Sequence, residues 1–519
     1  MSKTPPPDFS KSYDEGDLSA FYALAPGDTQ GALELPRNVD RQALADALRS
    51  YAKRLGAPTQ VFEQLEQLEH PESRVVVTGQ QAGLLLGPTY TLSKAVTALN
   101  LARELSTEER PVVPVFWVAS QDHDTKEIDQ AYLLDLNEQL VRLELPLPAS
   151  TPAGRIVFEK VWLGTVLEEL KKLNVPEAHL EKVTALLKDA AEHAETFADL
   201  FSALLYRLLG EQGLVVLNPL EPEIAPLFKG VLSAELDDPT ASVDAVNAAG
   251  ERITDLGYKA QLGRGSSATN LFLEEEGQRS LLRYDKPTFF TDANEYTRED
   301  LQVKLDADPS LITPAAGLRP ITQDAALPTA VVVVGPGELR YFAQLKAVYE
   351  QHGVAMPLVW LRTTVTVVEP PVRRILEKFD LNASEVTADF ESVKQRKLLE
   401  LHGHAEAFDK TLETLTTSLE TLTKEVRGVD PTLIGTVERA EERFRQTIAM
   451  LATKNAAALD KHDDIYARQF GRLEKHLLPL GTSQERLISP FSFFLKFGVQ
   501  PVLDAFLELP TEGDVDITF

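Results

Sequence analysis

The sequence contains no cysteine, and this absence excludes several kinds of site. Disulfide bonds, thiolate metal sites and a cysteine nucleophile all require that side chain. The sequence also lacks an apolar run of about 18 residues, so we predict no membrane-spanning segment. Residues 1–8 are polar and proline-rich, without the apolar stretch that secretory signals carry. Together these absences predict a cytoplasmic protein.

Positive charge is scarce relative to negative charge. The 52 Lys and Arg residues face 79 Asp and Glu residues, which gives a formal net charge of −27. Nonspecific nucleic-acid binding requires a basic surface that neutralises phosphates, so we predict no nucleic-acid partner. Small anionic substrates are still compatible with this charge, because they need only a local group of Arg side chains or backbone N–H groups. A length of 519 residues predicts two to four structural units.

The best-defined pattern present is a strand, a helix and a second strand between residues 74 and 119. Residues 74–77 and 112–119 are apolar runs typical of buried parallel strands, and residues 92–105 between them carry apolar side chains at helical spacing. Such a βαβ unit crosses over right-handed into a parallel sheet. Ligands of open parallel sheets bind beyond the carboxyl ends of the strands. The loops at residues 78–83 and 120–124 follow those ends and therefore mark the predicted site.

The same plan recurs later in the chain. Residues 331–334 read as a strand, 335–338 as a glycine loop, 339–352 as a helix and 354–361 as a further strand, while residues 214–217 add another core strand. We therefore predict an α/β protein with one doubly wound parallel sheet and inserted modules. The predicted divisions are a first core half with a helical cap (1–159), a helical insertion (160–212), a core strand with a helical and β-hairpin insertion (213–314), a second core half (315–390), a helical hairpin (391–477) and an apolar segment that packs on the core (478–519).

The segment near the C-terminus has the most regular periodicity. Apolar residues from Leu401 to Val426 alternate steps of four and three, which is a heptad seam, and a second helix returns from Val437 toward Leu473 after a turn at residues 428–431. A helix of about 34 residues would reach about 50 Å, so we predict an antiparallel coiled-coil hairpin that projects from the body. Its seam is satisfied either within the pair or by dimerisation, and the periodicity leaves both open.

The glycine loop after the first strand matches no standard nucleotide motif. Gly79, Gly83 and Gly87 do not form G-x-G-x-x-G, and no Lys-Ser or Lys-Thr completes a P-loop. Together with helix-end N–H groups, the side chains of this loop would form a polar floor for an anion; the candidate binding residues here are Thr78, Gly79, Gln80, Gln81 and Gly83. Alternatively, the glycines serve only a tight turn between strand and helix.

The loop after the second strand carries Asp122, His123 and Asp124. Two flanking carboxylates would stabilise the imidazolium form of His123, which predicts a general base toward an amine. A metal site is the weaker interpretation, because neighbours on one loop rarely point at one centre and no second histidine is near. Glu127 and Asp129 are either carboxylate ligands or ordinary charges at a helix start. We predict these three residues as catalytic and assign no metal ligand.

A third group of candidates surrounds the second glycine loop. Arg319 is a candidate clamp for a carboxylate or phosphate, because its guanidinium binds such groups bidentately, although an ordinary salt bridge is the simpler role. Backbone N–H groups of the loop at a helix start would form a second anion site. The candidate binding residues are Arg319, Gln323, Gly335, Gly337, Glu338 and Tyr341.

These motifs together resemble the bacillithiol synthase family, the cysteine-adding enzymes of bacillithiol biosynthesis. The resemblance rests on residues 77–83, on residues 114–119 running into 122–124, on Arg319-Pro320 with Gln323, and on residues 335–338 and 489–491. It implies a Rossmann-like core with inserted connecting segments and a C-terminal coiled coil that makes a homodimer. One departure is Ser120-Gln121, where the family has glycine and an acid, so no role of that acid is transferred.

The resemblance also implies the chemistry. The family would join cysteine to the amine of glucosaminyl-malate through a carbon–nitrogen bond, and ATP is the expected cosubstrate because amide formation from a free carboxylate is uphill in water. In this interpretation the two glycine loops hold anionic groups, His123 deprotonates the amine and Arg319 orients a carboxylate, so His123→Ala abolishes product formation. The alternatives are a small-ligand-binding scaffold that recruits a partner through its coiled coil, and a nucleotidyltransferase, which would need a His-x-Gly-His loop that the sequence lacks.

Overall fold

The computed structural model describes residues 8–265, 267–462 and 464–519. The first seven residues, on which the predicted lack of a secretory signal partly rests, lie outside the described part. The chain forms two compact units, one made of the residues up to Val365 with Glu485–Val515 and the other of Thr366–Gln484 with Asp516–Phe519. Within the described ranges, no helix combines the length and the apolar character that crossing a membrane requires.

The first unit begins with short helices before the sheet. Asp40 starts the longest of them by accepting a hydrogen bond from Ala43 N, and Leu44 and Leu48 are fully buried on its inner face. A helical segment was predicted over residues 9–70, and the structure has four helices there: α1 (Phe9–Asp14), α2 (Thr29–Leu33), α3 (Arg41–Arg54) and α4 (Thr59–Leu68).

The predicted βαβ unit is present. Strand β1 pairs with β2 in parallel along its whole length, with Val77 opposite Val115, and the helix between them is buried over most of its residues. A small antiparallel hairpin then follows, as the alternation over residues 128–145 predicted. The elements are β1 (Arg74–Gln80), α5 (Tyr90–Leu105), β2 (Val112–Val118), α6 (Thr125–Ile128), β3 (Gln130–Leu134) and β4 (Leu140–Glu144).

Two inserted modules follow. The first is helical and leads into a third core strand; it comprises α7 (Lys160–Leu170), α8 (Glu177–Glu192), α9 (Phe197–Leu209) and β5 (Val215–Leu217). The second module contains the predicted hairpin around Glu276 and Gly277, both of which have positive φ, but this hairpin belongs to a five-stranded sheet that the sequence did not reveal. Its elements are α10 (Lys229–Asp237), α11 (Ala241–Asp255), β6 (Ala268–Glu275), β7 (Gln278–Asp285), β8 (Thr288–Phe290), β9 (Glu295–Tyr296), α12 (Arg298–Ala307) and β10 (Ile312–Pro314).

The second core half differs from its prediction in two places. The helix predicted over residues 339–352 is two helices, because the side chain of Gln344 between them is fully buried and bonds Gln261 N and Leu262 N, each at 2.9 Å. The strand predicted from Val354 starts only at Leu358, because Val354 N closes the preceding turn on Tyr349 O. The elements are α13 (Arg319–Ala326), β11 (Thr329–Val334), α14 (Pro336–Phe342), α15 (Lys346–Gln351), β12 (Leu358–Leu361) and β13 (Thr364–Val368).

The core strands form one parallel sheet in the order β12-β11-β1-β2-β5. From β1 the chain adds β2 and β5 on one side and then β11 and β12 on the other. This is the predicted Rossmann-like, doubly wound arrangement, and its topological switch point lies between β1 and β11.

The second unit contains the coiled-coil hairpin and the helices that precede it. Its apolar cluster includes Val372, Phe379 and Phe390 as well as Phe470 and Leu473, which explains why the unit begins before residue 391, where the sequence placed the hairpin. The elements are α16 (Pro370–Phe379), α17 (Ala383–Ala388), α18 (Phe390–Leu401), α19 (Ala405–Val429), α20 (Ile434–His462) and α21 (Asp464–Leu477).

The heptad seam does not start at Leu401 as predicted. Leu401 ends α18, and Gly403 with a φ of +71° breaks the chain before α19 begins. The two hairpin helices contain 25 and 29 residues, which corresponds to about 38 and 44 Å rather than the predicted 50 Å. Leu419 of the seam is buried, whereas Leu422 is 48% exposed.

Of the C-terminal segment predicted to pack on the core (478–519), Glu485–Val515 belongs to the first unit. Asn100 in α5 donates hydrogen bonds to Leu507 O and Leu509 O, and the hydroxyl of Ser492 donates to Leu134 O. The elements here are α22 (Gln484–Leu487), α23 (Pro490–Phe497), α24 (Val499–Leu507) and β14 (Asp514–Thr518).

Candidate active site

A crevice lies at the switch point of the parallel sheet. Thr78 near the end of β1 is opposite Val333 of β11, and the Thr78 hydroxyl donates to Val333 O at 2.9 Å, so the two carboxyl ends lie side by side. The crevice has a volume of about 360 Å³. Open α/β sheets bind ligands at such a place. Its lining residues are Gly79, Gln80, Gln81, Tyr90, Lys94, Trp117, Ala119, Asp122, Glu127, Arg319, Gly335, Gly337, Glu338, Tyr341, Arg362 and Arg486.

The crevice collects most, but not all, of the residues that the sequence singled out. Nine of them line it: Gly79, Gln80, Gln81, Asp122, Arg319, Gly335, Gly337, Glu338 and Tyr341. Five others do not: Thr78, Gly83, His123, Asp124 and Gln323. Thr78 joins two strands as described above, and Gly83 lines an adjoining chamber. Asp124 caps α6 by accepting from Lys126 N.

The two loops after β1 and β2 are in direct contact. Gln81 Nε2 donates to Asp122 Oδ2 at 2.6 Å, and Asp122 Oδ1 accepts from His123 N at 2.8 Å. Gly79 is required at the crevice floor, since a Cβ there would lie 2.7 Å from the carbonyl oxygen of Trp117. The glutamine loop and the acidic loop thus form one wall.

Two of the N–H groups at the helix starts, where the sequence predicted anion sites, already donate hydrogen bonds within the protein. The N–H of Gly335 bonds the carboxylate of Glu338 at 2.9 Å, and Pro336 has no N–H to offer. At the start of α5, Thr89 N donates to Ile488 O at 2.8 Å. These two donors are therefore unavailable to an anion, whereas the side-chain cations of the crevice can bind one with charge-assisted hydrogen bonds.

Lys94 ties the two glycine loops together from below. Its ammonium donates to Gly79 O at 3.0 Å and to Gln80 Oε1 at 3.1 Å, and it forms an ion pair with Glu338. Burial lowers the pKa of Lys94, with Glu338 acting in the opposite direction. Burial alone would raise the pKa of Glu338, but Lys94 holds it below its usual value. The ammonium and the carboxylate thus form an ion pair in which their charges cancel.

Arg319 faces the crevice without a carboxylate partner within 4.0 Å among the described residues. It donates to the hydroxyl of Tyr341 at 2.8 Å and to Gln323 Oε1 at 3.3 Å. The amide of Gln323 in turn donates to buried Asp324 at 3.0 Å, which fixes the orientation of Gln323. Burial raises the pKa of Tyr341 to about 12, so its own O–H is free to donate into the crevice at neutral pH.

Two further arginines line the crevice, and only one of them is paired with a carboxylate in the described part of the chain. Arg362 is 4% exposed and forms a bidentate ion pair with Glu485, with Nη1 at 2.7 Å from Oε2. Arg486 is exposed and, in the part of the chain that the structure describes, has no carboxylate within 4.0 Å; it lies beside the ring of Tyr90 at 5.9 Å. In a chain of net charge −27, the crevice thus presents two uncompensated cations, Arg319 and Arg486.

The charged group closest to the ring of His123 is not one of its neighbours in sequence. Its Nδ1 lies 3.2 Å from Nη1 of Arg279 on β7 but 3.9 Å from Asp122 Oδ1. A guanidinium can only donate, so Nδ1 accepts and the neutral ring carries its proton on Nε2. Burial and Arg279 lower the pKa of His123, and Asp122 and Asp124 offset this only in part. The two carboxylates act in the predicted direction, but burial and Arg279 outweigh them, so the surroundings of His123 favour its neutral form.

This arrangement predicts the direction of a titration. Replacing Arg279 by Gln removes the positive charge beside Nδ1, so the pKa of His123 should rise toward the usual value for histidine. The measurement is an NMR titration of histidine-labelled protein, with the His123 signal assigned from a His123→Asn sample. Arg283→Gln on the same strand is the matched control, because Arg283 pairs with exposed Asp292 instead. An unchanged pKa in Arg279→Gln would contradict the role of Arg279.

Sequence reasoning missed four residues of the crevice, Tyr90, Lys94, Arg362 and Arg486, and left the role of Glu127 open. Lys94 had a usable signal, because it lies between Leu92 and Ala95 on a helix whose other periodic residues are apolar. Arg362 also had one, since it directly follows a core strand. Arg486 had none, because only the return of the chain after Gln484 brings it to the sheet.

Comparison with known proteins gives matches along almost the whole chain. The family described as "Bacillithiol biosynthesis BshC, N-terminal Rossmann-like domain" matches residues 9–363, and "Bacillithiol biosynthesis BshC, C-terminal coiled-coil domain" matches residues 365–517. A solved structure of Thermus thermophilus arginyl-tRNA synthetase aligns with 90% of this chain and 85% of its own, at 12% identity and a TM-score of 0.17.

Three relatives named "Putative cysteine ligase BshC" are similar over most of their length. A protein of Thermus thermophilus is 42% identical over 91% of this chain and 93% of its own. Those of Salinibacter ruber and Geobacillus thermodenitrificans are 33% and 32% identical, covering 93% and 89% of this chain and 90% and 87% of their own. The resemblance seen in the motifs is thereby confirmed, and the chain belongs to the BshC family of bacillithiol biosynthesis proteins.

Proposed function

We propose that this chain is a cysteine ligase that joins the carboxylate of cysteine to the amine of glucosaminyl-malate and so forms bacillithiol. The observation that carries the proposal is the presence of two uncompensated arginines, Arg319 and Arg486, in the switch-point crevice of a strongly acidic chain. Both substrates carry carboxylates, and an Arg guanidinium binds such groups with charge-assisted hydrogen bonds. The name of the relatives supports a cysteine substrate.

Arg319 is suited to the malate part of the acceptor. Its guanidinium is oriented by Gln323 and by the Tyr341 hydroxyl, and that hydroxyl keeps one donor for the ligand. Malate offers two carboxylates, so a guanidinium and a phenol side by side match its charge and its acceptors. In this role Arg319 binds and orients the acceptor and takes no part in proton transfer.

The crevice has few free groups that could bind the triphosphate needed to activate cysteine. Joining a carboxylate to an amine releases water and is uphill, so we keep ATP as the expected cosubstrate. However, the charges of Lys94 and Arg362 are already compensated by Glu338 and Glu485, the N–H of Gly335 is used, and Pro336 has none. These residues do not fit a triphosphate in the crevice, and we assign no step to the nucleotide there.

The direct test is product formation by the full-length protein. Purified protein is incubated with cysteine and glucosaminyl-malate, with and without ATP and Mg²⁺, and bacillithiol is measured by mass spectrometry. We expect bacillithiol in the presence of ATP. If none forms under either condition, the ligase proposal fails and a ligand-binding scaffold becomes the better explanation.

Two substitutions at His123 separate its possible roles. The contact with Arg279 favours a positioning role, since Nδ1 is already an acceptor and the free nitrogen carries the proton. The side-chain oxygen of Asn can replace Nδ1, so we expect His123→Asn to keep activity within about tenfold and His123→Ala to lose more. A general base would instead lose about 10²–10⁴-fold in both variants. Equal large losses would restore the base assignment made from the sequence.

We also propose that the protein is a homodimer through the coiled-coil hairpin. Exposed apolar side chains on the two helices support this, among them Leu422, Phe444 and Leu451, which are 48%, 49% and 51% exposed. Beside Phe444 lies an apolar groove of about 610 Å³ between α19 and α20. Exposed apolar patches of this kind mark association surfaces. Sedimentation equilibrium of the full chain measures the association directly, and a monomer at micromolar concentration would exclude a stable dimer.

A further inference from the structure

A second, smaller chamber adjoins the switch-point crevice. It has a volume of about 260 Å³, and the two spaces share the side chains of Gln80, Gln81, Tyr90, Glu127 and Arg486 as their common border. The smaller chamber lies below the range of about 300–1,000 Å³ that is usual for pockets of drug-sized ligands. It therefore suits the smaller of two substrates, while the larger one occupies the crevice.

The border between the two spaces carries one uncompensated charge of each sign. Glu127 lies in α6, and its carboxylate has neither a hydrogen-bond donor nor an ion-pair partner among residues 8–265, 267–462 and 464–519. Arg486 likewise has no carboxylate within 4.0 Å in those ranges. The two charges do not pair with each other, although both line the same chamber. A ligand that carries an anion and a cation a few ångströms apart would satisfy both.

The chamber wall contains an unused acceptor. Gln130 lines the chamber and donates from Nε2 to Lys126 O at 3.0 Å. Oε1 is buried and has no hydrogen-bond partner in the described part of the chain. An unpaired buried acceptor is unfavourable, so a ligand N–H or S–H that bonds it would be stabilised.

The remaining wall is apolar. Ile128 and Ala131 are each 3% exposed and, together with Leu487, line the chamber beyond the charged border. Such a wall accommodates a methylene and a thiol better than a hydroxyl, because a thiol is only weakly polar. The chamber thus combines a cation, an anion and a small apolar space.

We propose that this chamber is an α-amino-acid subsite that takes cysteine, an inference that rests on the proposed function. Arg486 binds the α-carboxylate, Glu127 binds the α-ammonium group, and the thiol side chain lies against Ile128 and Ala131. Because Arg486 lines both spaces, the bound carboxylate lies where they meet. There it faces the amine of an acceptor whose carboxylates are held by Arg319.

The test uses binding of three probes to the full-length protein by calorimetry, with and without glucosaminyl-malate. The probes are L-cysteine, 3-mercaptopropionate, which lacks the ammonium group, and cysteamine, which lacks the carboxylate. Glu127→Gln should weaken cysteine and cysteamine about tenfold or more and leave 3-mercaptopropionate unchanged. Arg486→Gln should weaken cysteine and 3-mercaptopropionate to a similar extent and leave cysteamine unchanged. Glu108→Gln, on an exposed loop outside both spaces, is the control.

The outcomes separate this subsite from the ligase proposal. The subsite is overturned if the variants bind all three probes as the wild type does, or if they bind all three with equally reduced affinity. It is also overturned if the wild type does not bind cysteine. If such results accompany bacillithiol formation by the wild type, the ligase function stands and cysteine binds elsewhere. If the probes follow the expected pattern while no bacillithiol forms, the subsite stands and the ligase function fails.

Discussion

Replacing Lys94 with Met is expected to lower the free energy of unfolding of the Rossmann-like unit by about 3 kcal/mol. The side chain of Lys94 is 3% exposed and that of Glu338 is 27% exposed. Removing the ammonium leaves the Glu338 carboxylate in the crevice wall without its counter-ion, and it also leaves Gly79 O and Gln80 Oε1 without their donor. A buried charge without a partner is among the few causes of such a large change.

The double variant Lys94→Met/Glu338→Gln distinguishes charge from packing. With both charges removed, we expect stability to recover by about 1–2 kcal/mol but not fully, because Gly79 O and Gln80 Oε1 still lack their donor. Ligase activity should not return, because the connection between the two glycine loops is absent in both variants. Urea unfolding is followed by tryptophan fluorescence, and Trp117, Trp162 and Trp360 all lie in the first unit. A double variant as unstable as the single one would mean that lost packing is responsible.

Glu485→Gln should lower the free energy of unfolding of the Rossmann-like unit by about 3–5 kcal/mol. Arg362 and Glu485 have side chains that are 2% and 8% exposed, and the carboxylate also accepts from Val365 N at 3.2 Å. The substitution keeps the shape of the side chain but leaves the guanidinium of Arg362 buried without a negative charge. Urea unfolding followed by tryptophan fluorescence measures the change.

Asp292→Asn provides the matched control for that substitution. Asp292 pairs with Arg283, and these side chains are 82% and 38% exposed, so solvent already screens both charges. We expect less than about 1 kcal/mol there. If the two substitutions have equal effects, the Arg362–Glu485 pair is not the strong interaction that its burial indicates.

The sheet was predictable from the sequence because its determinants are local. Runs such as residues 331–334 are apolar and β-branched, and two of the strands, β1 and β11, are followed by glycine loops, so strand identity and the site of these loops could be read directly. The break between α14 and α15 could not, because Gln344 bonds residues 82 and 83 positions earlier in the chain. Gly403, by contrast, was a visible helix terminator that the leucine spacing obscured.

The sequence predicted where the candidate site lies, but not which of its charged side chains are paired. Both glycine loops and Arg319 could be assigned to the strand ends, because parallel strands bring their carboxyl ends to one edge. The sequence around His123 shows only its two aspartates, whereas the charge closest to its ring belongs to Arg279, 156 residues away. Glu338 read as part of an anion site, yet its carboxylate occupies the donor that an anion would need. Partners distant in sequence determine which charges are free.

The Rossmann-like unit is built from two separate pieces of the chain, which has a consequence for its synthesis on the ribosome. The sheet strands are all translated by Leu361, but the ion partner of Arg362 and the helices α23 and α24 come more than a hundred residues later. A nascent chain that has emerged only to the hairpin therefore carries an open α5 surface and an unneutralised guanidinium. Domains generally fold as units during translation. Here residues 366–484 have to emerge before Glu485–Val515 can complete the Rossmann-like unit, so we expect chaperone capture to have its largest effect during that interval.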